Sequence, residues 1–255
     1  MTVPTPGVPN WVDLGTEDLF DATRFYTGLF GWSAHISPEP EAGGYTTFYL
    51  DGLAVAGAGP LFGEDQPTAW STYFATADAD AVAARVEAAG GKVLVPPFDV
   101  LDQGRMVACL DQAGAPFSIW EPLAMPGAEL FDAPGALTWT ELTTRDVAGS
   151  EAFYGQVFGW AARDSAIGDV PYVAWQLDGE PVAGMMPMIG PGWPVDLPPH
   201  WMIYFAVADA DESARLAYDL GGQVPVPPTD FPMGRFAVIN DPQGGTFSIL
   251  APHAG

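Results

Sequence analysis

W-V-D-L-G-T-E-D-L-F-D-A-T-R-F-Y-T-G-L-F-G-W at residues 11–32 and W-T-E-L-T-T-R-D-V-A-G-S-E-A-F-Y-G-Q-V-F-G-W at residues 139–160 are two copies of one unit. In each, a short strand carries a tryptophan and a carboxylate two residues apart and so on one face: Trp11 with Asp13, Trp139 with Glu141. Asp18 and Asp146 stand where a helix N-cap is wanted. The helix that follows buries a stripe including Phe25 and Tyr26, or Phe153 and Tyr154. Gly31 and Gly159 then fall at the left-handed position after the last turn.

Reading outward, each unit is followed by a hairpin, 45–50 and 53–58 around Asp51-Gly52, then 172–177 and 181–186 around Asp178-Gly179. Pro181 makes the start of its strand an edge or an irregular entry. A second strand and helix begin at Trp70 (W-S-T-Y-F-A-T-A-D-A-D) and at Trp201 (W-M-I-Y-F-A-V-A-D-A-D), and the helices end at Gly90-Gly91 and Gly221-Gly222. Two more strands close each half, the last containing Phe117-Ser118-Ile119 or Phe247-Ser248-Ile249. Equivalent residues stay about 130 apart from start to finish, which marks a tandem duplication with few insertions. The order strand, helix, three strands occurs twice per half. The sequence therefore divides into a first domain at 1–124, a linker at 125–134 and a second domain at 135–255. The loop at 190–199, rich in Trp and Pro, reads as a rim, a lid or a stiff connection.

The composition narrows the function. Of 255 residues, 48% are hydrophobic and 13% aromatic, enough for a core in each half, and no apolar run is long enough to cross a bilayer. Eight basic against 32 acidic residues give a net charge of −24, which repels phosphate backbones and anionic lipid. This charge serves solubility; attraction of a cationic ligand is the sharper alternative. Cys109 is the single cysteine, so neither an intramolecular disulfide nor a cysteine metal cluster is available, and it reads as a small core residue. The segment after Met1 lacks the basic and apolar stretches of a secretory signal, and a cytoplasmic protein is expected.

These motifs resemble the vicinal oxygen chelate superfamily of glyoxalase I, extradiol dioxygenases and bleomycin-resistance proteins. The resemblance rests on the strands ending at Asp18 and Asp146, the F-Y followed by F-G-W, the second strands ending A-D, the paired glycines after the second helices, and D-P-Q-G-G-T-F-S-I from Asp241. It spans about residues 10–122 and 135–252. It implies an α+β fold of four βαβββ modules forming two glyoxalase-like domains with curled, cup-shaped mixed sheets. About function it implies less, because the fold hosts lyases, oxygenases, transferases and plain binders. Metal enzymes of this family set one ligand on each of four strands. Carried over by motif, those positions fall on Trp11 and Trp139, near Ala56-Gly57 and Ala183-Gly184, on Thr72 and Ile203, and on Ser118 and Ser248. None of these supplies a ligand set for a divalent cation, so neither metal nor other cofactor is expected.

Strand alternation together with the resemblance gives the expected cup linings. The first is Trp11, Asp13, Trp70, Thr72, Phe74, Ser118 and Trp120. The second is Trp139, Glu141, Trp201, Ile203, Phe205 and Ser248, with Trp175 and Met186 as neighbours from the hairpin. Such walls suit flat or cationic ligands; the competing reading is core filling. Asp13 and Glu141 anchor or deprotonate a ligand in one reading, and in the other are buried acids held by Arg105 or Arg235. His200 precedes Trp201 and falls on the opposite face. The expected function is metal-independent binding of a small planar or hydrophobic organic molecule, such as an antibiotic or secondary metabolite. The alternative is a metal-independent lyase, isomerase or cyclase using Glu141 or Asp13 as general acid/base. One ionisable group per cup tips the reading toward binding, since acid/base enzymes usually set two. The expected partner is a small molecule, neither nucleic acid nor membrane, and the expected state is a monomer with an intramolecular pseudo-twofold or a weak homodimer.

Overall fold

The structure is a computed structural model that describes residues 4–61, 63, 66–190 and 192–253. The first half runs β1 (Pro9–Thr16), α1 (Leu19–Phe30), β2 (Ser33–Ile36), β3 (Thr46–Leu50), β4 (Leu53–Pro60), β5 (Ala69–Ala75), α2 (Ala79–Ala88), β6 (Lys92–Val100), β7 (Gly104–Leu110) and β8 (Pro116–Pro122). The second repeats it as β9 (Leu137–Thr144), α3 (Val147–Phe158), β10 (Ala161–Ile167), β11 (Val170–Leu177), β12 (Glu180–Pro187), β13 (His200–Ala206), α4 (Ala210–Asp219), β14 (Gln223–Phe231), β15 (Gly234–Asn240) and β16 (Thr246–Pro252).

Each helix starts where its aspartate caps it. Asp18, Asp78, Asp146 and Asp209 accept from the backbone N–H of Asp21, Ala81, Gly149 and Glu212 at 2.8–3.0 Å, satisfying a donor the helix itself cannot. Gly31 and Gly159 end α1 and α3 at φ 69° and 75°. Among the described residues no helix is long and apolar enough to cross a membrane.

Two mixed eight-stranded sheets result, in the orders β2-β3-β4-β1-β5-β8-β7-β6 and β10-β11-β12-β9-β13-β16-β15-β14. The fold is α+β, each sheet built from a pair of βαβββ modules. The parallel pairs set the registers that matter below: Asp13 opposite Gly57, Tyr73 opposite Ser118, Glu141 opposite Gly184 and Tyr204 opposite Ser248.

The compact units do not coincide with the two halves of the sequence. One contains the described residues through Asn10, Thr72–Gly127 and Thr140–Met202; the other contains Trp11–Ser71, Ala128–Trp139 and Ile203 onward. Each therefore draws most of one module from either half. In the first unit α2 (Val82, Val86) and α3 (Phe153, Tyr154, Val157) share a core with Phe74, Phe117 and Ile119. In the second α1 (Phe25, Tyr26) and α4 (Ala210, Ala214, Ala217) share one with Val12, Leu14, Phe205 and Phe247. Each large apolar side chain so enclosed contributes about 1.5–3 kcal/mol. The expected linker is ordered: Ala54 and Glu129 exchange bonds at 2.7 and 2.9 Å, and Asn10 Nδ2 donates to the Pro126 carbonyl at 3.1 Å.

The F-Y and D-P-Q-G-G motifs meet inside these units. Trp70 Nε1 donates to the Tyr26 hydroxyl at 2.9 Å, which donates to Asp241 Oδ2 at 2.9 Å. Trp201, Tyr154 and Asp111 repeat the chain at 2.9 and 3.1 Å. Both aspartates are buried, and burial holds their carboxyls above the ordinary range although backbone N–H groups of the closing turn and the tyrosine hydroxyl oppose it.

That chain corrects part of the expected lining. Trp70, Phe205 and Ile203 belong to the core of the second unit, Phe74, Trp201 and Trp175 to that of the first, all among helix residues. Thr72 shares their strand face. Trp175 is wholly buried between Tyr154 and Trp160, at 5.6 Å from each ring. The physical reason is parity. Trp11 and Asp13 stand seven and five residues before their cap Asp18, and the same count before Asp78 and Asp209 gives Ser71 with Tyr73, and Met202 with Tyr204. Thr72 and Ile203, six before the cap, correspond instead to Val12, which packs under α1.

Candidate functional site

The face opposite the helices carries Trp11, Asp13, Ser118, Trp120, Trp139, Glu141, Met186 and Ser248 from the expected set. In the first unit Trp120 is pinned: its Nε1 donates to the Met125 carbonyl at 2.8 Å, its ring meets Tyr73 edge-on at 6.5 Å, and a Cβ on Gly104 would collide with it. Ser118 is buried beside Tyr73. In the second unit Ser248 is buried opposite Tyr204, and its Oγ has no hydrogen-bond partner among the described residues.

The most developed chemistry on this face centres on Asp13. Trp11, 2% exposed, donates its Nε1–H to the Tyr45 hydroxyl at 3.0 Å, and that hydroxyl donates to Asp13 Oδ2 at 3.2 Å. Burial pushes the Tyr45 hydroxyl well above its ordinary pKa, and the charge of Asp13 adds to the effect; it stays protonated and acts as a donor. The ring has room because β4 presents glycine here. A Cβ on Gly57 would meet the hydroxyl and stand 2.6 Å from Cζ, and one on Gly59 would lie 3.0 Å from Cδ2. Gly57 faces Asp13 and Gly59 faces Gly15 across the parallel pair.

Tyr45 and the two glycines are what sequence reasoning missed. A signal was present: a tyrosine stands six residues before the Asp-Gly turn in both halves, Tyr45 before Asp51 and Tyr172 before Asp178. In the second half Glu141 is buried at 6% exposure, Tyr172 is buried as well, and Trp139 is half-buried. Gly184 faces Glu141 there, but Thr143 and Met186 replace the glycine pair at 15 and 59.

Other candidates are settled by their surroundings. Arg105 binds Asp80 and Asp99, and Arg235 binds Asp211 and Asp230, at 2.6–2.9 Å, so both guanidinium groups serve surface aspartates. Cys109 is buried and its thiol is pushed up to about 12 by desolvation and by Glu87, which leaves no thiolate at neutral pH. His200 Nδ1 lies 2.9 Å from the Pro198 carbonyl. Arg145, just after β9, donates to the Met188 carbonyl at 3.2 Å and to the Pro194 carbonyl at 2.5 Å.

The sequence profile of the Glyoxalase/Bleomycin resistance protein/Dioxygenase superfamily matches residues 8–119 and 136–249. The chain belongs to this superfamily. It is 42% identical over 271 aligned residues to the anthracycline biosynthesis protein DnrV of Streptomyces peucetius, covering 100% of this chain and 97% of the relative. It is 43% identical over 253 to the putative glyoxylase CFP32 of Mycobacterium tuberculosis, covering 96% and 95%. The Mn(II)-bound glyoxalase of Novosphingobium aromaticivorans shares the fold at a TM-score of 0.65 and 18% identity, over 97% of this chain and 83% of that one. The superfamily's metal does not fit the residues present. Its ligand positions, with those on β5 and β13 moved to Ser71 and Met202 by the count from the caps, fall on side chains without donors of the right kind, and among the described residues no group of three or more His, Cys, Asp or Glu is placed to hold an ion.

Proposed function

We propose that this superfamily member binds a small planar aromatic molecule bearing hydroxyl groups, without a metal, on the sheet face that carries Asp13. The observation that supports this is the chain from Trp11 Nε1–H to the Tyr45 hydroxyl to Asp13, an indole donor and a carboxylate acceptor set at one oxygen. Hydrogen bonds that involve a carboxylate are the stronger kind and favour a hydroxyl-bearing ligand over a bare hydrocarbon. The kinship with a protein named for anthracycline biosynthesis supports an aromatic natural product as the ligand class.

A second reading is a metal-independent lyase, isomerase or cyclase with Asp13 or Glu141 as base. It gains one observation: Tyr45 stands beside Asp13, so this face offers two ionisable groups instead of one, the tyrosine hydroxyl pushed up by burial. The test titrates the purified protein with hydroxylated anthraquinones and intermediates of anthracycline assembly, following tryptophan fluorescence and analysing the mixture by mass spectrometry. Saturable binding with unchanged ligand carries the first reading. Conversion that survives EDTA and is lost on Asp13→Asn or Glu141→Gln carries the second. Absence of binding across the series overturns both.

A further inference from the structure

The face at Asp13 has a floor without side chains. Gly15 on β1 pairs with Gly59 on β4, and Gly57 beside it pairs with Asp13, so three neighbouring positions leave peptide planes bare. Bare peptide floors are rare on a sheet face, because each glycine there gives up packing area and backbone entropy. Something flat must cover such a floor, and here it is the phenol ring of Tyr45. Gly57 and Gly59 are buried beneath it, and Tyr45 and Asp13 are half-buried. Leu61 and Gln66 stand at the Gly15 end, 3.3 and 3.5 Å from where a Cβ would project. Tyr45 itself lies just before β3, after Gly43 and Gly44 at φ 60° and 85°, so its side chain hangs from the end of a strand. The second half is an internal control. Met186 and Thr143 occupy the positions of Gly59 and Gly15, and Tyr172 sits within β11, paired with Ser165.

Resting on the reading that this protein binds planar hydroxylated aromatics, we propose that the Gly15–Gly57–Gly59 slot of the first half is the subsite for a phenolic ring of the ligand, and that Tyr45 is its internal stand-in. The incoming hydroxyl would take over both hydrogen bonds of the Tyr45 hydroxyl, accepting from Trp11 Nε1 and donating to Asp13, while the Tyr45 ring swings out toward solvent. The arrangement selects for an aromatic edge with a free hydroxyl, because an unsubstituted edge leaves the indole N–H and the carboxylate without the partner that Tyr45 had provided. It also lowers the apparent affinity, since every ligand competes with a tethered phenol.

The experiment uses 2-naphthol and its methyl ether, followed by calorimetry on the full-length protein. Tyr45→Ala is expected to bind 2-naphthol at least tenfold more tightly than wild type, with little gain for the ether, and Asp13→Asn in that background should remove the gain. Tyr45→Phe keeps the ring and loses only the hydroxyl that holds it in place; it should fold normally and bind 2-naphthol about threefold or more tightly than wild type. Equal gains for naphthol and ether would show an unspecific apolar cavity and overturn the proposal, as would unchanged affinity in the Tyr45→Phe protein. If wild type binds hydroxylated anthraquinones but neither Tyr45 variant alters affinity, the subsite falls and the functional reading stands. If the Tyr45 variants take up 2-naphthol through Asp13 while no polycyclic compound binds any form, the subsite stands and the functional reading falls.

Discussion

Replacing Tyr154 by phenylalanine removes one oxygen and leaves the ring in place. Trp201 Nε1–H loses its acceptor at 2.9 Å and Asp111 Oδ2 loses its donor at 3.1 Å, both inside the core of the first unit. Asp111 keeps the N–H bonds of Ala113 and Ala115 on its other oxygen at 2.9 and 2.8 Å, so the turn itself survives. Each orphaned buried group costs about 1–3 kcal/mol, and the pair about 2–6 kcal/mol at neutral pH. The loss has a pH signature. The Tyr154 bond lowers the Asp111 pKa against the rise from burial. Without it the native carboxyl takes up a proton more readily, which neutralises the orphan. The gap between wild type and variant should therefore narrow as pH falls toward the ordinary aspartate value of about 3.9. Urea unfolding at pH 7 and pH 5 measures this, with near-ultraviolet circular dichroism checking that the fold persists. Tyr26→Phe is a second copy of the experiment, through Trp70 and Asp241. A loss below about 0.5 kcal/mol, or one that widens on acidification, would refute the reasoning.

Four further outcomes are expected. Glu141→Gln should lower turnover by about a hundredfold or more at little cost in affinity if Glu141 is a base, or weaken binding by about 1.5–3 kcal/mol if it anchors the ligand; neither effect in a folded variant assigns it to the scaffold. Trp139→Ala should weaken binding of a planar ligand by about 1–3 kcal/mol, whereas Trp201→Ala should cost about 3–5 kcal/mol of stability; calorimetry and urea midpoints separate the two, and reversed roles would contradict the face assignment. Burial raises the Asp241 carboxyl, so the native state holds its proton more tightly than the unfolded chain, and stability from this group grows as pH falls through its native pKa until about 3.9. Wild type should then gain on Asp241→Asn between pH 7 and pH 4, and a constant difference in urea midpoint would remove the effect. Elemental analysis of dialysed protein should show far less than one transition-metal atom per chain; a stoichiometric ion removable only by chelation would refute the donor-set argument.

The face lining shows where sequence reading stops. Trp11, Asp13, Trp139 and Glu141 stand seven and five residues before the caps Asp18 and Asp146, on the face opposite Val12 and Leu142. Trp70, Thr72, Phe74, Trp201, Ile203 and Phe205 lie on the helix face instead, because Thr72 and Ile203 stand six residues before their caps rather than seven, and one residue inverts a strand. Both faces of β5 are mostly apolar or aromatic, so hydrophobicity alone does not correct such a slip. Tyr45 adjoins its strand's start, and only packing over Gly57 and Gly59 brings its hydroxyl to Asp13.

The sequence by itself determined the four modules, their strand and helix order, the caps at Asp18 and Asp146, and the lack of a metal-ligand set at the superfamily positions. Those properties are local: they follow from periodicity, capping chemistry and the identity of single residues. The tertiary structure decided which modules share a core, so that Tyr26 finds Asp241 and Tyr154 finds Asp111 rather than the aspartate of its own half. Duplicated modules carry the same apolar stripes and the same turns, and each could satisfy either partner by pattern. The helices that share a core approach closely at glycine: a Cβ on Gly91 would stand 2.7 Å from Phe153 Cε2, and one on Gly222 3.0 Å from Phe25 Cε2. Such close approaches, which only a residue without a Cβ permits, are invisible to any residue-by-residue code.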